Sequence, residues 1–87
     1  MPEISRFYGI VIKIYLKDHL PAHFHAEYGE YNAMINIQTG EIIEGQIPRK
    51  ALVLVQEWVN LHRNELLETF NLLRNGKTNW KKIAPLE

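Results

Sequence analysis

A change in hydrophobic spacing near the middle of the chain constrains its fold more than any other feature. In residues 8–17, every second side chain belongs to one apolar set, whereas in residues 52–73 apolar side chains recur at steps of three and four. The first spacing is typical of a half-buried strand and the second of an amphipathic helix. The sequence therefore predicts an α+β fold in one domain, 1–87, with a β-sheet half at 1–45, a helix at 46–76 and a tail at 77–87.

Turn signals divide the first half into four predicted strands of a mainly antiparallel sheet. The first strand begins at Tyr8 and ends before Asp18, because Pro21 in the following segment breaks the pattern. The second and third strands, 22–28 and 31–37, flank a tight turn at Gly29, which suits a type II′ hairpin. The fourth strand, 41–44, carries charges that suit a sheet edge.

The hairpin turn also predicts a register, with Tyr28 opposite Tyr31 and His23 opposite Asn36. One face of the pair is then apolar and can accept the helix, whereas the other is mostly polar and stays open. The polar face contains His23, His25, Glu27, Asn32, Met34 and Asn36.

The second half predicts one long helix, packed on one face of the sheet and followed by a short C-terminal tail. Pro48 suits the first helical position, and Asn75-Gly76 suits the stop. A continuous helix over 48–74 is expected because no proline or glycine interrupts it, and a break, if present, is expected between Asn60 and Asn64. The expected buried stripe consists of Leu52, Val55, Val59, His62, Leu66, Phe70 and Leu73.

Composition excludes several classes of protein. The chain has no cysteine, which excludes disulfides, thiol catalysis and cysteine-based metal sites. Its start lacks the features of a signal peptide, and its longest aliphatic run, 51–55, is too short to span a membrane, so a cytoplasmic protein is expected. The net charge of zero conceals an asymmetry, because 1–45 carry −3 and 46–87 carry +3.

Three of the four histidines lie within seven residues, at His19, His23 and His25. His23 and His25 project from the same side of a strand and could bind one metal ion, although a zinc or iron site needs at least three ligands. The alternative is a pair of ordinary sheet-face histidines. The sequence therefore commits to no metal and leaves a divalent cation as an alternative. The candidate ligand-binding or partner-binding residues are His19, His23, His25, Glu27, Asn32 and Asn36.

Catalysis is not favoured. Either His23 or His25 could act as a general acid or base, but the usual nucleophiles are absent around them, and Ser5 is the only serine. We therefore name no catalytic residue and no cofactor.

Two further surfaces are candidates for binding. A basic segment around an aromatic residue could contact nucleic acid, although a solvated helix end explains it more simply. A leftover apolar ridge on the helix needs a cover, from the tail or from a second subunit, and so predicts a homodimer. The basic segment consists of Arg74, Lys77, Trp80, Lys81 and Lys82, and the ridge of Leu54, Leu61 and Leu72.

Two segments resemble a bacterial family of small proteins catalogued as domain of unknown function 4160. They are the MPE-type start, residues 1–10, and the proline-and-histidine segment, residues 21–28. The resemblance extends over essentially the whole chain, including the helix start at 48–52. Ala22 departs from it, because the family often has a second proline there. The resemblance implies a bacterial cytoplasmic protein with a small protein partner encoded nearby, in a toxin–antitoxin-like pairing, but it implies no activity.

The sequence thus favours a small interaction module with a regulatory or toxin–antitoxin-like role. A metal-binding protein that uses the histidine pair is the first alternative, and nucleic-acid contact through the basic segment is the second. No membrane association is expected.

Overall fold

The computed structural model describes residues 3–87 as one antiparallel sheet of five strands with a helix across its apolar face. The α+β class is confirmed, but the predicted number of four strands is wrong. Each strand pairs with its neighbour in the chain, in the order β1-β2-β3-β4-β5. The elements are β1 (Glu3–Phe7), β2 (Ile10–Lys13), β3 (His23–Tyr28), β4 (Tyr31–Asn36), β5 (Ile42–Gln46) and α1 (Arg49–Arg74).

The additional strand comes from a hairpin turn at Tyr8-Gly9, where the sequence predicted the start of a strand. Phe7 pairs with Ile10, and both turn residues have positive φ, 48° at Tyr8 and 80° at Gly9. Positive φ at both positions is typical of a type I′ turn, whose twist matches that of the strands. The sequence did not reveal this turn for two reasons. Tyr8 continues the apolar alternation with Ile10, and an aromatic residue rarely adopts a positive φ. Met1 and Pro2, part of the MPE-type start, lie outside the described residues.

The predicted register of the central hairpin is confirmed. Tyr28 pairs with Tyr31, and His23 pairs with Asn36 at the other end. Gly29 in the turn has a φ of 58°. The fourth predicted strand is also present as the edge strand β5, although it begins and ends slightly later than expected.

The helix is kinked, so the expectation of continuity is wrong, but the kink lies within the predicted interval. His62 has non-helical dihedral angles of φ −126° and ψ 21°. A straight helix of 26 residues would be about 39 Å long, which exceeds the 33 Å longest extent of the molecule. The kink brings Arg63 to the sheet, where its Nε donates a hydrogen bond of 2.9 Å to the carbonyl oxygen of Ile37.

The core lies between the sheet and the helix and is closed by the C-terminal tail. Of the predicted helix stripe, five residues are buried, whereas Leu52 and His62 are half-buried. The stripe omitted Trp58, which is fully buried and donates a hydrogen bond of 2.8 Å to the carbonyl oxygen of Ala84. Ile83 and Leu86 of the tail are buried and belong to this core.

Candidate metal centre

The loop between β2 and β3 brings a carboxylate over the start of β3. Lys17, which has a φ of 57°, donates its backbone N–H to the carbonyl oxygen of Leu73 at 2.9 Å. This hydrogen bond fixes the loop to the end of α1. The peptide bond between Leu20 and Pro21 is cis, and the chain then enters β3 at His23. Asp18 lies in this loop, and its side chain is largely covered.

Asp18, His23 and His25 form a cluster of three groups that can each bind a metal ion. One ligand atom from each lies within 4.8 Å of the others. Asp18 Oδ2 is 2.9 Å from His23 Nε2 and 3.5 Å from His25 Nε2. Tetrahedral coordination with bonds of about 2.0–2.1 Å places neighbouring ligand atoms about 3.3 Å apart. The two separations therefore lie on either side of the value that a small cation requires.

His23 is the most buried member of the cluster, with 2% of its surface exposed. The sequence placed it on an open polar face, but the loop and Phe70 of α1 cover it, with the two ring centroids 5.5 Å apart. Its Nδ1 lies 2.7 Å from the carbonyl oxygen of Pro21. A carbonyl oxygen only accepts hydrogen bonds, so Nδ1 carries the proton. In the neutral ring, Nε2 therefore has a free lone pair, as a metal ligand requires.

The lone pair of His23 Nε2 lies close to a carboxylate oxygen without a proper hydrogen bond between them. The two atoms are 2.9 Å apart, yet both are buried and neither has a hydrogen-bond partner among the described residues. The short distance alone would indicate an ion pair, but no hydrogen bond joins the two atoms as it would in such a pair. Buried polar atoms are nearly always satisfied. Both atoms are therefore available to a proton or a cation.

His25 forms the more accessible side of the cluster. Burial, together with the adjacent His23, lowers the pKa of His25, and the nearby carboxylate of Asp18 offsets this only in part. The edge of one ring meets the face of the other between Tyr15 and His25, with centroids 4.6 Å apart. A lowered pKa keeps the imidazole neutral near pH 7, and the neutral form is the one that binds metal.

The remaining predicted ligand residues lie around this cluster in different roles. Glu27 Oε2 is 3.1 Å from Lys13 Nζ, which engages its charge. Asn36 Oδ1 accepts hydrogen bonds from the backbone N–H groups of Gln38 and Thr39, so it stabilises the turn before β5. Asn32 lines a shallow hollow beside His25 on the open face.

His19 lies next to the cluster without joining it. Its side chain is 92% exposed, and its Nδ1 is 4.0 Å from Asp18 Oδ1.

Asp18 is the member that the sequence did not predict. In the sequence, Asp18 is a single carboxylate in a segment that contains a proline. No strand or helix spacing connects it with the residues of β3. Its proximity to the histidine pair arises from the fold of that loop. A carboxylate within a few residues of an alternating histidine pair is the signal that could have identified it.

The other two predicted surfaces are partly occupied. In the basic segment, the four cationic residues are exposed, but Trp80 packs against the core, and Glu65 and Glu68 line the same groove as Lys81 and Lys82. Nucleic-acid contact stays a prediction.

In the apolar ridge, Leu54 is half-buried against the core, and Leu72 is half-buried in the groove beside the tail. Leu61 is 66% exposed, so the dimer prediction now depends on it.

No helix within residues 3–87 is both long enough and apolar enough to cross a membrane. A family model described as "Domain of unknown function (DUF4160)" matches residues 9–71, a range that includes the whole cluster. No curated protein and no solved structure matches the chain.

Proposed function

The chain belongs to the family described as Domain of unknown function (DUF4160), a description that names no activity, and we propose from the geometry of the site that it is a metal-binding protein. The site is formed by Asp18, His23 and His25, and its ligand is a divalent transition-metal ion such as Zn²⁺. Two imidazoles and a carboxylate are a donor set that such ions prefer.

One observation carries the proposal, namely the contact between His23 Nε2 and Asp18 Oδ2. Both atoms are buried and unsatisfied at a separation of 2.9 Å. A cation bound by both atoms would convert a repulsion between a lone pair and a carboxylate into two favourable bonds. A charged His23 paired with Asp18 is the competing explanation, and the lack of a hydrogen bond between the two atoms at this short distance argues against it.

The surroundings of the site support the same conclusion. The hydrogen bond from His23 Nδ1 to the carbonyl oxygen of Pro21 is the type of outer contact that orients metal-binding histidines and fixes their tautomer. Phe70 restricts the ring from the other side. The ligands are thus positioned before the ion arrives, which reduces the entropy lost on binding.

Titration of the intact chain with Zn²⁺ tests the proposal. We expect the imidazole NMR signals of His23 and His25 to shift at one equivalent, and the melting temperature to rise. Zinc at 100 times its dissociation constant should add about 2.7 kcal/mol to the free energy of unfolding. Asp18→Asn and His25→Asn should each weaken zinc binding by at least about tenfold, since even an outer contact contributes that much.

Two substitutions serve as matched controls. Glu30→Gln removes an exposed carboxylate in the hairpin turn, and His62→Gln removes the histidine at the helix kink. Both should retain the affinity of the original chain. Zinc binding that Asp18→Asn and His25→Asn leave unchanged, in variants with native circular dichroism, would contradict the proposal.

The role of a metal-binding chain in the cell is a separate matter. A regulatory or toxin–antitoxin-like partnership, self-association and a cytoplasmic location stay predictions from the sequence and the family resemblance. Co-purification of the chain with the product of the neighbouring gene tests the partnership, with and without a chelator present.

A further inference from the structure

We propose that His19 is a fourth metal ligand, which moves onto the ion and closes its coordination. The inference rests on the proposed function, because it assumes the site formed by Asp18, His23 and His25. It assigns His19 a role that the arrangement of the three ligands alone does not require.

The position of His19 makes the movement short. Its Nδ1 is 4.0 Å from Asp18 Oδ1, and its ring centroid is 6.4 Å from that of His23. His19 directly follows Asp18 in the chain, so a rotation of its side chain can bring a ring nitrogen towards the ion without moving the strands. A small cation bound by three protein atoms has at least one further position to fill.

No described contact holds His19 elsewhere. Its side chain is 92% exposed, and it makes no hydrogen bond among residues 3–87. The other potential metal ligands near the site are already engaged. Glu27 pairs with Lys13, and Asn36 accepts two hydrogen bonds from backbone N–H groups of the following turn. Ligation by His19 therefore breaks no existing interaction and costs mainly the rotamer entropy of one side chain.

The fourth ligand determines what the site can do. Four protein ligands are typical of zinc sites that hold the ion, whereas three ligands and a water are typical of catalytic sites. With His19 bound, the site would hold the ion rather than use it to activate a water molecule.

Cobalt substitution of the intact chain provides the test, because Co²⁺ can replace Zn²⁺ and its absorption spectrum depends on the ligands that bind it. The natural chain contains no cysteine, so a thiolate introduced at position 19 has no background. In His19→Cys, we expect a thiolate-to-cobalt charge-transfer band in the near ultraviolet at one equivalent of Co²⁺. In His19→Asn, we expect the affinity for Zn²⁺ to fall by at least about tenfold, and the visible bands of Co²⁺ to weaken as water enters.

The control and the contrary outcomes separate this inference from the proposed function. His62→Cys carries a thiol at the helix kink and should give no charge-transfer band. If His19→Cys also gives none, and His19→Asn retains the original affinity while His25→Asn loses it, His19 is not a ligand and the three-residue site stands. If the original chain binds neither ion, both proposals fail.

Discussion

The ionisation of His25 links the stability of the chain to pH. Burial and the adjacent His23 lower the pKa of His25 in the folded chain, whereas the pKa of an unfolded histidine is about 6.5. Below that pH the unfolded chain binds more protons than the folded one. The metal-free protein should therefore lose stability as the pH falls from about 6.5 towards the lower pKa of the folded state, and keep it above pH 6.5.

We expect His25→Gln to reduce this pH dependence, because glutamine has no proton to gain. Urea unfolding in the presence of a chelator at pH 7.5 and at pH 5 measures it. The original chain should lose more unfolding free energy between the two values than His25→Gln does. Equal losses in the two proteins would show that His25 is not the group responsible.

At the level of single residues, the sequence predicted part of the site. Two residues of one strand separated by a single position must share a side, so the pairing of His23 with His25 follows from strand geometry alone. Asp18 could not be predicted in this way, because its position depends on the hydrogen bond between Lys17 and Leu73. The burial of His23 likewise depends on Phe70, which is 47 positions away in the chain.

Among the elements, β5 contains a position that only glycine can occupy. Gly45 has a φ of 84°, and a Cβ atom there would lie 2.3 Å from the carbonyl oxygen of Asn32. The register between β4 and β5 shifts close by, between Met34 and Ile35. Gly29 in the central hairpin also has a positive φ, 58°, but nothing lies within 4 Å of its added Cβ.

The two glycines form a matched pair for mutation. Gly29→Ala should cost about 1 kcal/mol of unfolding free energy, from the left-handed backbone conformation alone. Gly45→Ala should cost at least about 2 kcal/mol more, because the neighbouring strand must also move. Urea denaturation of both variants measures the difference. Equal costs would mean that the edge strand shifts freely.

The elements differ in how well the sequence predicted them. The central hairpin was predicted residue by residue, because a glycine turn and two apolar faces agreed on one register. The hairpin at Tyr8-Gly9 was missed, since the alternation continues through it. The kink at His62 lies where the length of the helix exceeds that of the sheet, so geometry indicated its place although no proline or glycine marks it.

For the molecule as a whole, the tail completes the core. Ile83 and Leu86 are buried, the backbone N–H of Ile83 bonds to the carbonyl oxygen of Ile4, and Trp58 bonds to that of Ala84. These contacts connect the tail to both the first strand and the helix. The tail thus lies against the strand that begins the described part of the chain.

Removal of residues 83–87 should therefore destabilise the entire fold. The loss of two buried aliphatic side chains predicts a cost of about 3–6 kcal/mol, and the loss of the Trp58 hydrogen bond about 1 kcal/mol more. Tryptophan fluorescence should shift to longer wavelength as Trp58 meets water. Glu87 is exposed, so its deletion alone should change neither the free energy of unfolding nor the wavelength of tryptophan fluorescence. A shortened chain as stable as the full one would contradict this role.

The neighbour-to-neighbour order of the strands has a consequence for the synthesis of the chain. Every strand finds its partner as soon as the next has emerged, so the sheet can form before α1 exists. Ribosomes add about 5–20 residues each second, and the 26 residues of α1 therefore take roughly 1–5 s to follow. During that interval the apolar side of the sheet has no cover. A nascent chain of this kind is most exposed to aggregation, and most in need of a chaperone, while α1 is being added.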